Sequence, residues 1–333
     1  MAREVAFELS VGLAPHSAAL AAALVIDGAV GDPVYRAHPV RLIGRALQVI
    51  EGALAQLGAT GYLGGVALFV TLATMWVGGI STAVMVAQKT SVWLGWGLHL
   101  FVLYSLLALG DLLAHGWRVE RALRRGDLAT ARSGITHLVG RDTDGMNAGG
   151  CRRATIESLS ENLTDGFTSA LFWYVIAGLP GLVLFKVVST MDSMVGYRTP
   201  RYLRFGWCGA RLDDVMNFLP ARITWLLVSV AATAIPGCSG PKALCVAWQQ
   251  HAILPGPNSG WSEAAVAGAI QRCLVGPIWM NGRQVTDRWL GDPADAPAET
   301  SQDFRRAVSV IVAAGVLASA MAIGAAGVAG WLP

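Results

Sequence analysis

The segment YLGGVALFVTLATMWVGGISTAVMVA, residues 62–87, decides the fold class of this chain. It lies in a stretch that carries no charge between Glu51 and Lys89, and the next stretch, as far as Asp111, is also uncharged. About 20 apolar residues in a helix cross the ~30 Å hydrocarbon core of a bilayer. Residues 62–87 and 91–114 therefore predict two membrane spans joined as a helical hairpin.

The composition indicates a membrane protein. Of the 333 residues, 54% are hydrophobic and only 14% are charged, against about 25% charged in an average soluble domain. The net charge of +3 is too small to indicate nucleic-acid binding. Most basic residues are arginine, whose planar fork suits phosphate and carboxylate groups. Five cysteines without metal-site spacing are expected to be free thiols: Cys151, Cys208, Cys238, Cys245 and Cys273.

Two more spans are predicted at the ends of the chain. Residues 307–332 carry no charge and predict a last span. The apolar run 18–26 is short and is followed by Asp27 rather than by a cleavage site. It therefore predicts a retained first membrane segment, beginning near Val11, instead of a cleavable signal peptide.

Two further apolar segments are interrupted at their middles. Residues 167–188 contain GLPG, and residues 223–253 contain IPGCSGP. Proline removes a helical hydrogen bond and glycine frees the backbone, so a helix can stop and turn at both places. The fold prediction is an all-α, polytopic helical membrane protein with three to five spans and two re-entrant helical hairpins. Two plain, kinked spans are the alternative.

Four polar regions separate the apolar segments, at residues 27–61, 115–166, 189–222 and 254–306. If both interrupted segments are re-entrant, all four regions emerge on one side of the membrane. They hold most of the arginine, so the positive-inside rule places them in the cytoplasm. The prediction is a single membrane-embedded domain, residues 1–333, in the cell inner membrane, with its active site facing the cytoplasm.

One polar region combines charges of both signs with aromatic residues: TMDSMVGYRTPRYLRFGWCGARLDDVMNFLPARIT, residues 190–224. Charges that border a membrane are costly unless they are paired, solvated or bound to a ligand, although an ordinary juxtamembrane loop with arginine anchors is the alternative. Its helix is expected to end at Pro220. Asp213 and Asp214 lie about 100° apart on that helix, so one could bind a metal while the other pairs with Arg211 or Arg222.

A second region carries an acidic stripe. Arg153, Glu157, Glu161 and Asp165 recur every four residues and share one helix face. Three carboxylates in line repel one another and favour a bound cation, either the arginine or magnesium. Asn162 lies beside the stripe, and a solvated helix face is the alternative. The preceding residues, 119–140, predict a surface helix pair.

The remaining two regions give weaker signals. Asp32 and His38 each precede a proline, and the two prolines could aim both side chains at a site, although His-Pro before a helix is often only a cap. In the last region, Ser259 or Ser262 is expected to cap a helix, with Glu263 in its first turn. No Walker loop or GxGxxG motif is present, so a nucleotide-binding fold cannot be inferred.

Taken together, the motifs resemble those of a known family. GDP…HPVRLIGR, GRDT…RATIESLSENLTDG, DSMVGYR…ARLDDVMNFLPAR and NSGWSEAAVAGA occur in order over nearly the whole chain. The chain resembles the integral-membrane adenosylcobinamide-phosphate synthases of cobalamin biosynthesis. Departures follow the fourth motif, where AGAIQRCLVGPIWM replaces the usual AGALGVRLGGPNYY, and occur in SENLTDG, which replaces AENTVDG. These changes leave fine substrate preference open.

The resemblance implies ATP-dependent formation of an amide between adenosylcobyric acid and aminopropanol or its phosphate, through an acyl phosphate. The expected partners are this corrinoid, the amino alcohol and the bilayer, with ATP and Mg²⁺ as substrates, no prosthetic group and no nucleic acid. Whether the chain forms a homo-oligomer stays open. A membrane prenyltransferase with a magnesium-diphosphate site and a transporter are the alternative functions, but a second Asp-rich motif and an internal repeat are not found.

The chemistry assigns roles to the polar residues. The pool of metal ligands comprises Glu157, Glu161, Asp165, Asp192, Asp213 and Asp214. The arginines expected on phosphates are Arg141, Arg153, Arg211 and Arg222. Tyr197, Tyr202 and Trp207 are expected against the flat corrin, or else at the membrane interface. His38 is the candidate base, and the remaining candidate site residues are Asp32, Asn162, Asn258 and Trp261.

Overall fold

The computed structural model describes residues 12–31, 35, 37–136, 140–280 and 282–329. Its helices are, in chain order, α1 (Ser17–Val30), α2 (Pro39–Gln56), α3 (Tyr62–Ala73), α4 (Gly79–Thr90), α5 (Val92–Ser105), α6 (Leu109–Arg124), α7 (Leu128–Thr136), α8 (Ala148–Asn162), α9 (Ser169–Val195), α10 (Trp207–Met216), α11 (Phe218–Thr233), α12 (Gly240–Gln250), α13 (Ser259–Ile270) and α14 (Ser301–Ala329). π-Helical turns at Thr74–Gly78 and Leu163–Thr168 connect α3 to α4 and α8 to α9. Asp32 lies outside the described residues, so its predicted role is not tested.

The predicted polytopic helical fold is confirmed. Within the described ranges, four continuous helical segments are long and apolar enough to cross a membrane: Tyr62–Thr90, Val92–Arg124, Ala148–Val195 and Ser301–Val328. Helices α10 and α11 taken together would make a fifth. The two charge-free segments that decided the fold class form the first two of these spans.

The chain divides into two compact units. The first comprises the described residues of Met1–Ala108, Ser169–Met216 and Ser319–Pro333. Helices α4 and α5 pack against each other as the predicted hairpin. A core joins α2, α3, α9 and the segment after α9, and its fully buried members are Ile43, Leu47, Leu68, Leu72, Val187, Met191 and Val195, with Phe205 nearly so.

Helix α9 is broken where GLPG predicted a break. Ala177 and Gly178 have non-helical backbone angles, and Gly178 has a φ of 60°. A Cβ atom on Gly178 would lie 2.0 Å from the carbonyl oxygen of Leu13, so only glycine fits. The same oxygen accepts a hydrogen bond from the amide of Leu179, at 2.9 Å. The N-terminal segment therefore satisfies a backbone group that the break frees.

The first helix is too short to cross a bilayer core by itself. Helix α1 begins at Ser17, where His16 caps it through Nδ1, whereas the predicted start at Val11 lies outside the described residues. Its 14 residues reach about 21 Å, less than the thickness of a bilayer core. It also contains the buried Asp27.

The second unit comprises the described residues of Leu109–Thr168 and Asn217–Ala318. The predicted helix pair is confirmed as α6 and α7, which pack with α8 around Val119, Ile135 and Cys151. Helices α11 and α12 pack together on either side of the IPGCSGP turn and contact α13. The second predicted interruption is therefore a helical hairpin.

Two details differ from the predictions. Helix α10 ends at Met216, and Pro220 lies in the first turn of α11. In the first turn of a helix the backbone N–H that proline lacks would not form a helical hydrogen bond anyway. Pro220 therefore does not terminate a helix.

Four short strands were not predicted: β1 (Leu274–Val275), β2 (Ile278–Met280), β3 (Arg283–Thr286) and β4 (Trp289–Leu290). They form two antiparallel pairs, β1 with β4 and β2 with β3.

Candidate functional site

The second unit brings four carboxyl groups together. Glu157 and Glu161 lie on α8, Asp165 lies in the π-helical turn that follows, and Glu263 comes from α13, which packs against α8. Glu157 and Glu263 are buried, whereas Glu161 is exposed. Each of the other three carboxylates acts electrostatically on Glu263. We call these four residues the acidic cluster. The predicted stripe of carboxylates therefore lies near a fourth carboxyl group, that of Glu263.

Local structure fixes the stripe. Asn147 caps α8 by accepting a hydrogen bond from the amide of Gly150, at 2.7 Å. At the other end of the helix, the Asn162 amide nitrogen donates to the carbonyl oxygen of Ser158, at 2.9 Å. Asp165 then enters a π-helical turn, a feature that occurs frequently at functional sites. The predicted neighbour Asn162 thus contributes a contact within its own helix.

Arg141 supplies the cation that the stripe requires. Its guanidinium group forms an ion pair with Oε2 of Glu157, and both side chains are nearly buried. Oε1 of Glu157 accepts a hydrogen bond from the backbone amide of Val275, at 2.8 Å. Both oxygens of Glu157 are thus engaged, which suits this residue to positioning Arg141. It stays a predicted metal ligand, but with fewer lone pairs to offer.

Arg153 does not neutralise the stripe, contrary to one of the two expectations. It forms an ion pair with Glu299, and its guanidinium carbon lies 5.1 Å from the centre of the Trp289 ring. The reason is that Glu299, which belongs to the segment after the strands, lies next to Arg153 and pairs with it.

Burial raises the pKa of Glu263 well above its ordinary value. The negative charges of Glu161, Glu157 and Asp165 raise this pKa further, and the positive charge of Arg141 opposes them. A bound cation would also offset this repulsion. The protonation of Glu263 is therefore sensitive to the charge that binds nearby.

The acidic cluster is compatible with magnesium only when further ligands are supplied. Among the residues that the structure describes, no group of three or more His, Cys, Asp and Glu side chains is arranged to hold a metal ion by itself. Mg²⁺ is usually bound by one or two carboxylates, several waters and the phosphate oxygens of a substrate. Carboxylates beside a phosphate-binding cavity would fit that mode. The predicted ligand set stays a prediction.

A cavity of about 550 Å³ adjoins Arg141. Its wall contains both arginines that were predicted on phosphates in this part of the chain, Arg141 and Arg153. The other lining residues are Asp142, Asp144, Gly145, Met146, Asn147, Gly150, Val275, Pro277 and Trp279. Because Arg141 also pairs with Glu157, one side chain connects the cavity with the acidic cluster.

A cation and several aromatic rings meet elsewhere in the second unit. The Nη1 atom of Arg222 donates to Oδ1 of Asn258, at 2.9 Å, and the guanidinium lies 4.9 Å from the ring of Trp261. The ring of His251 stacks on the same Trp261 ring, with the two centroids 3.9 Å apart. Three predicted binding residues are therefore brought together. The described hydrogen bonds of Arg222 go to Asn258 and to the backbone oxygens of Phe218 and Pro257.

The first unit holds the remaining predicted residues. The carboxylates of Asp192 and Asp214 repel each other, and Asp214 pairs with Arg211 at 3.4 Å, which is one of the two predicted pairings. Asp213 is partly exposed. His38 is buried before α2, and its ring lies edge to face with that of Tyr35, at 5.2 Å.

The aromatic residues predicted against the corrin differ in their surroundings. Tyr197 is exposed, Tyr202 lies below the guanidinium of Arg201, and Trp207 packs edge to face on Tyr62 at 5.6 Å. All of them belong to the first unit. Their roles stay predictions.

Comparison with known proteins identifies the family. The family model for CobD/CbiB proteins matches residues 20–311. The chain belongs to the CobD/CbiB family.

Relatives in this family match over almost their full length. Cobalamin biosynthesis protein CbiB of Salmonella typhimurium is 37% identical over 310 residues, covering 91% of this chain and 95% of the relative. Cobalamin biosynthesis protein CobD of a Sinorhizobium species is 38% identical over 318 residues, covering 91% and 97%. The CobD protein of Klebsiella pneumoniae is 36% identical over 307 residues, covering 91% and 95%. No solved structure was found to match the chain.

The part of the chain that matches the CobD/CbiB family contains the whole acidic cluster. Glu263 was not among the predicted site residues, because the sequence predicted it only in the first turn of a capped helix. The structure starts α13 at Ser259, after Asn258, so Glu263 lies one turn further in and is buried. The signal was available: Glu263 is the one charge in the otherwise apolar sequence WSEAAVAGAI, and a lone buried acid requires a partner.

Proposed function

We propose that this CobD/CbiB protein is an adenosylcobinamide-phosphate synthase. It would use ATP to join a carboxylate of adenosylcobyric acid to the amine of aminopropanol or of aminopropanol phosphate. Family membership supports a step of cobalamin biosynthesis, because the relatives carry that name. The main support for the proposal is the acidic cluster. Its member Glu157 pairs with Arg141, and Arg141 lines a cavity together with Arg153.

The reaction needs activation of a carboxylate. A carboxylate oxygen of the corrinoid takes the γ-phosphoryl group of ATP, which gives an acyl phosphate and ADP. The neutral amine then attacks the acyl carbon, forming the C–N bond as the bond from carbon to the phosphate oxygen breaks. Inorganic phosphate leaves, and the amine nitrogen loses one proton. Such transfers depend mainly on alignment and on neutralising charge.

The residues of the second unit match these requirements. Arg141 and Arg153 would hold phosphate oxygens in the cavity, since a guanidinium fork fits phosphate. Glu161 and Asp165 would hold the Mg²⁺ that accompanies ATP, and that ion would neutralise phosphate charge. Glu157 would position Arg141. The bound cation would also offset the repulsion that raises the pKa of Glu263.

The first unit contributes to the proposal by prediction from the family motifs. Asp192, Asp213 and Asp214 remain candidate ligands, Arg211 a candidate phosphate contact and His38 a candidate base. Arg222, Asn258 and Trp261, in the second unit, form a cation and aromatic group suited to a flat or anionic substrate. The active site would face the cytoplasm of the inner membrane, where ATP is available.

The test is a reconstitution. The purified full chain in lipid nanodiscs is incubated with adenosylcobyric acid, ATP, Mg²⁺ and either aminopropanol or its phosphate, and products are separated by chromatography. We expect the amide product only with ATP. Glu161→Gln should lower the rate about 100-fold. The matched control is Asp127→Asn, which replaces an exposed helix-capping acid in the same unit and should keep the rate.

The outcomes separate the possible errors. A folded wild-type protein that forms no product with either amine would contradict the ligase function and favour a prenyltransferase or transporter. Product formation at the full rate by Glu161→Gln would instead remove only the metal assignment. Asp214→Asn in the same assay tests whether the first unit also contributes a ligand.

A further inference from the structure

The first unit contains a cavity of about 600 Å³. It shares no lining residue with the acidic cluster or with the cavity beside Arg141. It is enclosed by the end of α2, by the connection between α2 and α3, and by the segment between α9 and α10. Its lining includes Glu51, Arg201, Tyr202, Leu203, Arg204 and Phe205. The proposed ligase chemistry uses none of its charged groups.

The walls of this cavity are fixed to the core. Phe205 is 4% exposed and belongs to the core of the first unit, and Tyr202 packs against the same core. A Cβ atom on Gly65 would lie 2.0 Å from the carbonyl oxygen of Phe205, so the segment touches α3 backbone to backbone. The amide of Gly206 also donates to the carbonyl oxygen of Tyr202, at 2.7 Å. The cavity is therefore preformed, as ligand sites usually are.

The charges in the cavity favour an anion. Arg201 pairs with Glu51, with Nη2 and Oε1 2.7 Å apart, and its guanidinium lies 5.0 Å from the centre of the Tyr202 ring. Arg204 is exposed and forms no ion pair with any residue that the structure describes. Two guanidinium groups and one carboxylate leave an excess of one positive charge. Paired arginine forks are suited to phosphate oxygens.

The sequence around the cavity places it at the membrane surface. Gly61 lines the cavity, and the next residue, Tyr62, begins the 29-residue apolar span Tyr62–Thr90. Tyr62 contacts Trp207 edge to face, and both rings are about half exposed. Tyrosine and tryptophan are enriched at the level of the lipid head groups. Leu203, in the cavity wall, is 58% exposed and would meet the apolar part of a lipid.

We propose that this cavity binds the phosphate head group of an anionic phospholipid. Arg204 and Arg201 donate to the phosphate oxygens, and the aromatic pair Tyr62 and Trp207 lies beside the glycerol and acyl region. The predicted cytoplasmic location of this polar region agrees with the proposal, because the cytoplasmic leaflet carries the anionic lipids. Basic pockets beside membrane helices recognise such head groups.

The same phosphate chemistry could come from a free phosphate ion, so the experiment has two arms. The full chain in a neutral detergent is titrated with phosphatidylglycerol, with phosphatidylcholine, or with inorganic phosphate. Bound lipid is counted by native mass spectrometry, and thermal unfolding is followed in parallel. We expect phosphatidylglycerol to bind and to raise the melting temperature, and the other two to do neither at the same concentration.

Variants test the residues. Arg204→Gln removes a charged donor without breaking a described ion pair and should weaken phosphatidylglycerol binding about tenfold. Arg198→Gln is the matched control, since Arg198 is exposed in the same segment but does not line the cavity, and it should bind like the wild type. Equal binding by both variants would overturn the proposal. Stabilisation of the wild type by inorganic phosphate alone would also overturn it, because the site would then take a soluble anion.

Discussion

Two groups of the molecule combine carboxylates with an arginine. In the second unit Arg141 pairs with the acidic cluster, and in the first unit Arg211 pairs with Asp214, beside Asp192. They differ in burial. The Arg141–Glu157 pair has side chains that are 11% and 6% exposed, whereas the Arg211–Asp214 pair has side chains that are 64% and 32% exposed. Water screens the second pair, and the low dielectric of the interior strengthens the first. The same residue types therefore carry very different energies.

Residues 190–224 combine many charges of both signs in one polar segment, whereas the buried Glu263 is the one charge in the sequence WSEAAVAGAI. Density along the chain measures how many charges occur, and burial decides how strongly each one acts. The difference teaches that a lone acid in an apolar helix, such as Glu263, is a stronger indication of a site than a crowded polar loop.

The largest expected effect concerns the side of the membrane on which each polar region lies, since labelling of an introduced cysteine from one side is all or none. Cys151 and Cys208 are buried, so they are poor probes. We expect single cysteines at the exposed positions Asp144 and Arg198, in a chain with Cys245→Ser, to react with a membrane-impermeant maleimide from the same side of the membrane. A cysteine at Thr90 should react only from the other side. Labelling of Asp144→Cys and Arg198→Cys from opposite sides would contradict the re-entrant arrangement.

The two ion pairs should differ in their contribution to stability. Arg141→Ala leaves a buried carboxylate unpaired and should lower the free energy of unfolding by about 3–5 kcal/mol. Arg211→Ala removes an exposed partner and should cost less than about 1 kcal/mol. Denaturant unfolding of both variants in one detergent measures the difference. Equal losses would mean that burial does not distinguish the two pairs.

The smallest of the three expected effects is a pH dependence of the folding stability, which we expect to come from Glu263. Its pKa is raised in the folded chain, so below the ordinary glutamate pKa both the folded and the unfolded chain hold the proton. As the pH rises above that value, the unfolded chain loses its proton first and the folded state is progressively destabilised. Glu263→Gln cannot ionise. It should therefore gain melting temperature relative to the wild type between pH 5 and pH 8.

Asp127→Asn is the control for this measurement. The hydrogen bonds from Thr130 lower the pKa of Asp127, so that carboxylate is ionised in both states throughout the same pH range. The melting temperature of Asp127→Asn relative to the wild type should therefore stay constant from pH 5 to pH 8. A constant difference for Glu263→Gln as well would show that the charge of Glu263 does not control stability.

The membrane spans and the helix interruptions could be predicted from the sequence, because both depend on local composition. Charge-free runs decide the spans at residues 62–87 and 91–114. Glycine and proline at 178–181 and 235–241 decide the interruptions through backbone geometry alone. The strand pair β2–β3 also has a local signal, since the Asn-Gly dipeptide at 281–282 is typical of a hairpin. It was not predicted because the short strands lack a clear alternating pattern.

The partners of the charged residues could not be predicted, because they depend on contacts between distant parts of the chain. The spacing of the stripe made Arg153 the nearest cation for Glu157 along the helix, yet Glu299 takes Arg153 and Arg141 takes Glu157. The amide of Val275, which binds Glu157, is 118 residues away in sequence. Helical spacing identified the correct face and left its partners open.

The hydrogen bond from Leu179 to Leu13 has a consequence for biogenesis. The ribosome delivers Leu13 more than 160 residues before its donor, as the numbering of the two residues shows. Until the N-terminal segment docks, the amide of Leu179 has to find water or another acceptor, which is costly within a bilayer. Insertion of the broken helix would therefore be completed only when the segment that carries Leu13 docks against it, so a substitution that prevented this docking would delay maturation of the whole protein.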